Sequence, residues 1–321
     1  MPELPEVQTI VSDLNQKIKG DIITGFWSDW PKAIKGKTVE EFTEEMRKRK
    51  ILGIRRIGKN IFIDLSGKKT LYIHLKMTGH LLVKARANSK FQIPNSKSTF
   101  NDQISKSKKQ DYFGDKVNQY IHHIWYLKRD LDKSKKNTFV DSHTFADSHR
   151  TLEFSDVRKF AKIVLDDTQK ISELPEIKKL GPDAMSPSLT LKKFQEILKK
   201  KKNKAIGLVL MDQETISGIG NIYRSEILFE AGLRPVKMVK ELNRKEWQKL
   251  YVSTRKVLKK AVRMRGTSQS DYRDTAGAPG SFQKALKVYK KNGEKCPDCG
   301  IIIQCRKLGQ RSLFFCPKCQ R

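Results

Sequence analysis

Four cysteines stand in two pairs near one end of the chain. Cys296 and Cys299 form CPDC, Cys316 and Cys319 form CPKC, and sixteen residues separate the pairs. Each C-x-x-C brings two thiolates to one side of a tetrahedral ion, and the segment between them has room for a β-hairpin. The alternative is a pair of reversible disulfides. All five cysteines fall within the last 26 residues, whereas a secreted disulfide framework spreads through a small domain. The spacing therefore points to one structural Zn2+ on Cys296, Cys299, Cys316 and Cys319. Cys305 has no partner at a ligand spacing and reads as an ordinary thiol.

The other end is MPELPEV, where Pro2, Glu3 and Glu6 crowd into the first six residues. A carboxylate pair can do general acid–base work, or simply favour a helix start through the macrodipole. A third candidate is SGIGNIYRSEIL (217–228), with glycines ahead of an Asn that opens a helix. Close backbone approach and free helix amides would make a phosphate site; a structural turn with an N-cap explains the same residues.

Composition selects among these chemistries. The chain has 66 Lys+Arg against 35 Asp+Glu, a formal charge of +31. Such a charge opposes compaction unless a polyanion is near, and nucleic acid, whose counterions are released on binding, is the first candidate. Anionic membrane is the rival. No run of about 18 apolar residues exists to span a bilayer. Pro2, Glu3 and Glu6 stand where a signal peptide would be basic and then apolar, so the chain is expected in the cytoplasm. Arg306, Lys307 and Arg311 lie between the cysteine knuckles, where they meet phosphates or face solvent.

These groups must be positioned by a fold. Residues 5–19 carry Val7, Ile10, Val11, Leu14 and Ile18 at helical spacing. From Ile22 to Val83 the pattern shortens to strands, with a turn at Ser66-Gly67-Lys68. Residues 84–118 are polar and aperiodic and read as an irregular insertion. NQYIHHIWYL and RTLEFSDVRKFAKIVL resume strand character, and 128–150 between them reads as a Lys-rich extended hairpin loop. Its Lys128, Arg129, Lys133, Lys135 and Lys136 are expected to reach phosphates. A Pro/Gly-rich stretch, ISELPEIKKLGPDAMSPS, marks a boundary, and four helical patterns follow it. The expected division is a β-rich domain over 1–167, a helical domain over 168–284 and a cysteine module over 285–321.

In this order MPELPEV, RRIGKNIF, HLKMTGHL, EFSDVRKFA, LMDQETISGIGNIYRSEILFEAG and VYKKNGEKCPDCG…RSLFFCPKCQR resemble the bacterial formamidopyrimidine-DNA glycosylases. The match covers most of the chain apart from about 84–118 and 128–150. The endonuclease VIII branch shares the architecture but usually begins Pro-Glu-Gly-Pro.

The resemblance implies an α+β fold: an N-terminal β-sandwich with a leading helix, then a helical domain with a helix–two-turn–helix, then a zinc β-hairpin. It implies a monomer that binds damaged double-stranded DNA in the bacterial cytoplasm, at the nucleoid, with Zn2+ alone as cofactor. It implies removal of oxidised purines, followed by strand cleavage. Met1 would be removed so that Pro2 attacks the sugar as a secondary amine. An α-amino group titrates at about 7.7–8.0, so an appreciable fraction of it is neutral and nucleophilic at neutral pH. Glu3 would act on the opening sugar ring, Glu6 would hold the terminus, and Lys59 would assist proton transfer and bind phosphate. Met77, Arg158 and Phe160 would fill the gap left by the flipped base, and the 266–282 loop would cover that base. Asn221 and Arg311 would grip phosphates. Val157 and Ala161 stand where Pro and Gly are usual, and Gly207 where many members carry Lys. Two other readings remain: endonuclease VIII-like action on oxidised pyrimidines, and a non-catalytic damaged-DNA binding protein.

Overall fold

The structure, a computed structural model, describes residues 1–85, 112–130 and 149–321. Most of both insertions, with Lys133, Lys135 and Lys136, lies outside the described residues.

Helix α1 runs over Leu4–Ile18. Pro5 falls in its first turn, where a missing N–H costs nothing, and Val7, Ile10, Leu14 and Ile18 form its buried stripe. Eight strands follow: β1 (Ile22–Ser28), β2 (Ile51–Ile57), β3 (Asn60–Leu65), β4 (Lys69–His74), β5 (His80–Ala85), β6 (Ile121–Lys128), β7 (His149–Ser155) and β8 (Lys162–Asp167). They make two antiparallel sheets, ordered β1-β6-β7-β5 and β2-β3-β4-β8. Alternation sets which side chains meet. Ile61, Ile63 and Leu65 of β3 join Trp125 and Leu127 of β6 and the α1 stripe in one core between the sheets. Phe62 faces the other way, packing with Tyr72, Val164 and Ile171.

The segment from Ile22 to Val83 is not strand throughout, because α2 (Val39–Met46) interrupts it. Its start is a reciprocal cap: Thr38 Oγ1 accepts the Glu41 N–H, and the Glu41 carboxylate accepts the Thr38 N–H. Phe42 and Met46 then enter the sandwich core. The first insertion is also narrower than its composition suggested. β5 takes in Lys84 and Ala85, and Lys116–Gln119 forms a 3-10 turn. Likewise β6 and β7 pair out to Lys128–His149, which shortens the second loop.

The boundary stretch holds two short helices, α3 (Thr168–Glu173) and α4 (Pro175–Lys178). Beyond it lie α5 (Leu191–Lys199), α6 (Ile206–Val209), α7 (Asn221–Ala231) and α8 (Arg244–Arg263). Phe194, Tyr223, Ile227, Leu228, Trp247 and Leu258 build their core, and Leu4 is buried in it as well. The first turn of α1 is thus packed into the helical domain while the rest of α1 belongs to the sandwich, which fixes the amino terminus at the junction. Arg56 of β2 clamps the same junction, pairing with Asp183. The chain ends in a hairpin of β9 (Gln304–Leu308) and β10 (Arg311–Phe315). Among the described residues no helix is long and apolar enough to cross a membrane.

Candidate active site

The junction gathers the N-terminal acids. Glu3 is buried, and its carboxylate accepts the N–H groups of Gly220 (2.8 Å), Ile222 (2.9 Å) and Tyr223 (3.3 Å). The amides at the start of α7, read from the sequence either as a phosphate site or as a structural turn with an N-cap, are taken by a side chain of the chain itself. The glycines of 217–220 serve this contact: the Leu4 N–H donates to the Gly218 carbonyl at 3.0 Å, and a Cβ at Gly218 or Gly220 would collide with Leu4 or Glu3. Gln213 supports the loop from behind, its Oε1 accepting the Gly218 N–H at 3.0 Å and its Nε2 donating to the Ile219 carbonyl at 2.8 Å.

Glu6 lies one turn along α1 and is 1% exposed. It accepts the Glu3 N–H (2.7 Å), the Thr267 N–H (2.7 Å) and the Tyr223 hydroxyl. Burial, with the neighbouring Glu3 charge, raises its pKa from 4.5 to about 7, and the hydrogen bonds only partly offset this. The amine of Met1 moves down from 8.0, chiefly through burial; Glu3, Glu6 and Asp271 pull the other way. Lys59, on the two-residue turn between β2 and β3, is 7% exposed. Burial lowers its pKa, opposed by Glu3 and Glu6 and reinforced by Arg311. Amine, acids and Lys59 thus lie within electrostatic reach of one another. Beside them opens a cavity of about 360 Å³ lined by Met1, Lys59, His74, Lys162, Glu176 and Gln213, among others. His74 is held neutral there, at about 4, by burial and then by Lys76 and Lys59.

The raised Glu6 carboxyl makes stability depend on pH. Its folded pKa exceeds the unfolded 4.5, so the cost of ionising it is absent below about 4.5 and complete above about 7. Glu6→Gln removes that cost. The wild type is expected to lose stability relative to the variant as pH rises through this window, by about 3 kcal/mol at most. Urea midpoints at pH 5 and pH 8 read the change; a gap equal at both rejects the raised carboxyl.

Met77, Arg158 and Phe160 come together from two loops. Met77 is 40% and Phe160 53% exposed. Arg158 Nη1 donates to Met77 Sδ at 3.4 Å, and its guanidinium sits 5.3 Å from the Phe160 ring centroid. Lys76 and Lys159 take left-handed backbone, with φ of 53° and 54°. The 156–161 loop is organised by Asp156, which sequence reasoning missed. It is buried and accepts the Thr78 hydroxyl and the N–H groups of Arg158 (3.2 Å), Phe160 (2.9 Å) and Ala161 (3.1 Å). Val157 and Ala161 thus sit on a path set by a carboxylate, and Val157 projects outward.

Asn221 opens α7, its Oδ1 accepting from Arg224 Nη2. Arg224, also missed, is fully buried and further donates to the carbonyls of Gly207 (3.2 Å) and Ser312 (3.3 Å). Gly207 has no room for a side chain, since a Cβ would lie 2.8 Å from the Pro235 carbonyl oxygen. Arg311 is exposed at the start of β10. Arg224 joins Asn221 nearby to carbonyls 17 and 88 residues away, and Asp156 joins its own loop to Thr78, 78 residues away.

The four cysteine sulfurs lie within 4.8 Å of one another, with Cys296–Cys319 at 3.8 Å and Cys299–Cys316 at 3.4 Å. Zn–S bonds of about 2.3 Å in a tetrahedron need sulfurs roughly 3.8 Å apart, so the site fits one structural zinc ion. Cys305 is exposed on β9, away from this group.

A sandwich and a helical domain meeting around the buried Pro2 and Glu3, beside a cysteine hairpin, define a zinc-containing DNA glycosylase of the helix–two-turn–helix class. Family models agree along the chain. The formamidopyrimidine-DNA glycosylase N-terminal domain matches residues 1–163, the H2TH domain of the same glycosylase 180–273, and the zinc finger found in FPG and IleRS 293–321. The formamidopyrimidine-DNA glycosylase of Carboxydothermus hydrogenoformans is 36% identical over 321 residues, covering all of both chains. That of Listeria innocua is 31% identical, again covering all of both. Lactococcus lactis Fpg solved with DNA containing an abasic site has a TM-score of 0.76 at 28% identity, covering 99% of each chain. The complex of Lactococcus lactis Fpg with DNA containing Fapy-dG gives 0.74 at 28% identity, covering 99% of this chain and 100% of that one. The chain belongs to the formamidopyrimidine-DNA glycosylase family and is a DNA glycosylase of base excision repair.

Proposed function

We propose that the protein is a bifunctional glycosylase and lyase. It removes 8-oxoguanine and formamidopyrimidines from duplex DNA through the nitrogen of Pro2, then cleaves the strand by β,δ-elimination. The observation that carries this reading is the buried position of Pro2 at the domain junction, next in the chain to the buried Glu3 and in company with the buried Glu6 and Lys59. With Met1 removed, the Pro2 lone pair attacks C1′ and the glycosidic electron pair leaves with the base. The cationic iminium acidifies the C2′ proton, whose loss expels the 3′ phosphate; a second elimination expels the 5′ phosphate.

Glu3 turns from the α7 amides to the sugar ring oxygen as the ring opens. Glu6, near 7, is tuned to exchange protons at working pH, and it orients the backbone next to Pro2. Lys59, its charge weakened by burial, binds a flanking phosphate and aids proton transfer. Flipping the base costs a few kcal/mol, which the cluster of Met77, Arg158 and Phe160 offsets by filling the stack. Asn221 and Arg311 bind phosphates on either side. Zinc supplies folding energy to the hairpin and takes no part in the chemistry. The protein acts as a monomer at the bacterial nucleoid, with domains at 1–167, 168–284 and 285–321.

A panel of duplexes, each with one lesion, tests this. Excision of 8-oxoguanine and formamidopyrimidine, leaving phosphate at both ends of a one-nucleotide gap, is the expected result. Faster removal of oxidised pyrimidines would favour endonuclease VIII-like action. Binding without any excision would leave a damage-binding protein.

A further inference from the structure

Residues 265–282 follow α8 in the chain and keep contacts in the helical domain, such as Thr267 with the Tyr223 hydroxyl and Ser281 with the Met264 carbonyl, yet they are also anchored to the N-terminal domain. At one end the Thr267 N–H donates to Glu6, and the Tyr272 hydroxyl reaches the Glu6 carbonyl at 3.4 Å. At the other, the Val83 N–H on the open edge of β5 donates to the Thr275 carbonyl at 2.9 Å. Arg273 grips Asp115, with Nε at 2.9 Å and Nη2 at 2.7 Å from one carboxylate oxygen.

On α1, Asp13 accepts from Arg265 (2.6 Å) and from the Thr275 hydroxyl (2.9 Å), and Lys17 donates to that hydroxyl at 2.8 Å. A further anchor is Asn118, only 1% exposed. Its Nδ2 donates to the Tyr112 carbonyl at 2.7 Å and the Gly277 carbonyl at 3.1 Å. Its Oδ1 is therefore the acceptor facing His80 Nε2 at 2.8 Å. Gly277 has φ +77°, and a Cβ there would come 2.7 Å from Asn118 Nδ2. Between the anchors the loop passes the terminal amine closely enough for Asp271 to raise that amine's pKa.

We propose that Asn118, assisted by Asp115, is a positioning residue that fastens the 266–282 loop to the sandwich, so that the loop is already closed over the base pocket before DNA arrives. This rests on the function proposed above. A carboxamide satisfied on both sides is a fixed strut; removing it takes the partner from the buried Gly277 carbonyl and from His80 Nε2, which lowers the free energy of local opening. A loop that covers a base matters while a base is present. It matters far less at a site that has already lost one.

The test compares wild type with Asn118→Ala, Asp115→Asn and Gly277→Ala, the last two keeping the Asn118 side chain. In free protein, hydrogen exchange of amides in 268–278 is expected to accelerate by an order of magnitude or more in Asn118→Ala. Single-turnover excision of 8-oxoguanine should fall about tenfold or more, since misplaced contacts cost up to about 10²-fold. Cleavage of a preformed abasic duplex should stay within about twofold. If Asn118→Ala misfolds by circular dichroism, the other two variants carry the comparison with the same expectations. Unchanged exchange in a folded variant overturns the proposal, as does an equal fall in excision and abasic cleavage. Failure of wild type to excise 8-oxoguanine would instead overturn the substrate reading, while the exchange rates would still decide the strut.

Discussion

Pro2→Gly is expected to lower the yield of borohydride-trapped complex on an 8-oxoguanine duplex by on the order of 10²-fold, the scale of a misplaced reacting group. Binding to a non-cleavable abasic analogue should remain within a few-fold. Two effects combine. Proline's ring locks φ and aims the nitrogen, whereas glycine frees the backbone at the point where attack must be directed. A secondary amine also gives an iminium that is cationic at every pH, whereas a primary amine gives an imine that must first be protonated. The contacts that place the terminus belong to Glu3, Leu4 and Glu6, so the variant keeps its DNA cleft. Trapping at wild-type yield would mean that another amine attacks, and Lys59 would be the first to examine.

Cys316→Ser is expected to release the zinc and to weaken DNA binding roughly 10- to 100-fold, the worth of one charged hydrogen bond at about 1.5–3 kcal/mol. The free energy of metal binding is folding free energy for such a module. Cys316 is fully buried and packs with Phe229, Val288 and Ile303 in a core of its own. That core docks the hairpin on α7, where the Glu226 carboxylate accepts the N–H groups of Lys287, Val288 and Tyr289. Without the ion Arg311 loses its fixed place. Arg224 loses its Ser312 partner, so the damage spreads toward Asn221. The sandwich, built on a separate core, should keep its circular dichroism. A variant that retains stoichiometric zinc by elemental analysis rejects ligation by Cys316.

Features set by local chemistry could be read from the sequence. The α1 stripe, the strand runs of β2 to β5 and the helices α5, α7 and α8 follow from apolar spacing, which is a property of neighbours. The zinc site follows from two C-x-x-C pairs, because each knuckle is closed within four residues. Helix α2 was legible but missed: the Thr38 to Glu41 box carries a start signal within one turn, and Phe42 and Met46 carry the stripe.

The catalytic junction is of the other kind. Glu3 reads as a helix-start acid, yet its carboxylate caps a helix 217 residues away; the glycines of 217–220 read as a phosphate loop, yet they make room for that carboxylate. Arg224 and Asn118 look like ordinary polar residues until distant carbonyls surround them, and Asp156 until its own loop closes on it and Thr78 reaches it. Sequence by itself determined the elements, the metal ligands and the family resemblance, since each is written in short spacings or in the order of motifs. Tertiary structure alone decided which acid is raised toward neutral pH, which side chain takes the amides of α7 and what holds the 266–282 loop. Burial and long-range hydrogen bonds exist only once the two cores have formed and met at Leu4.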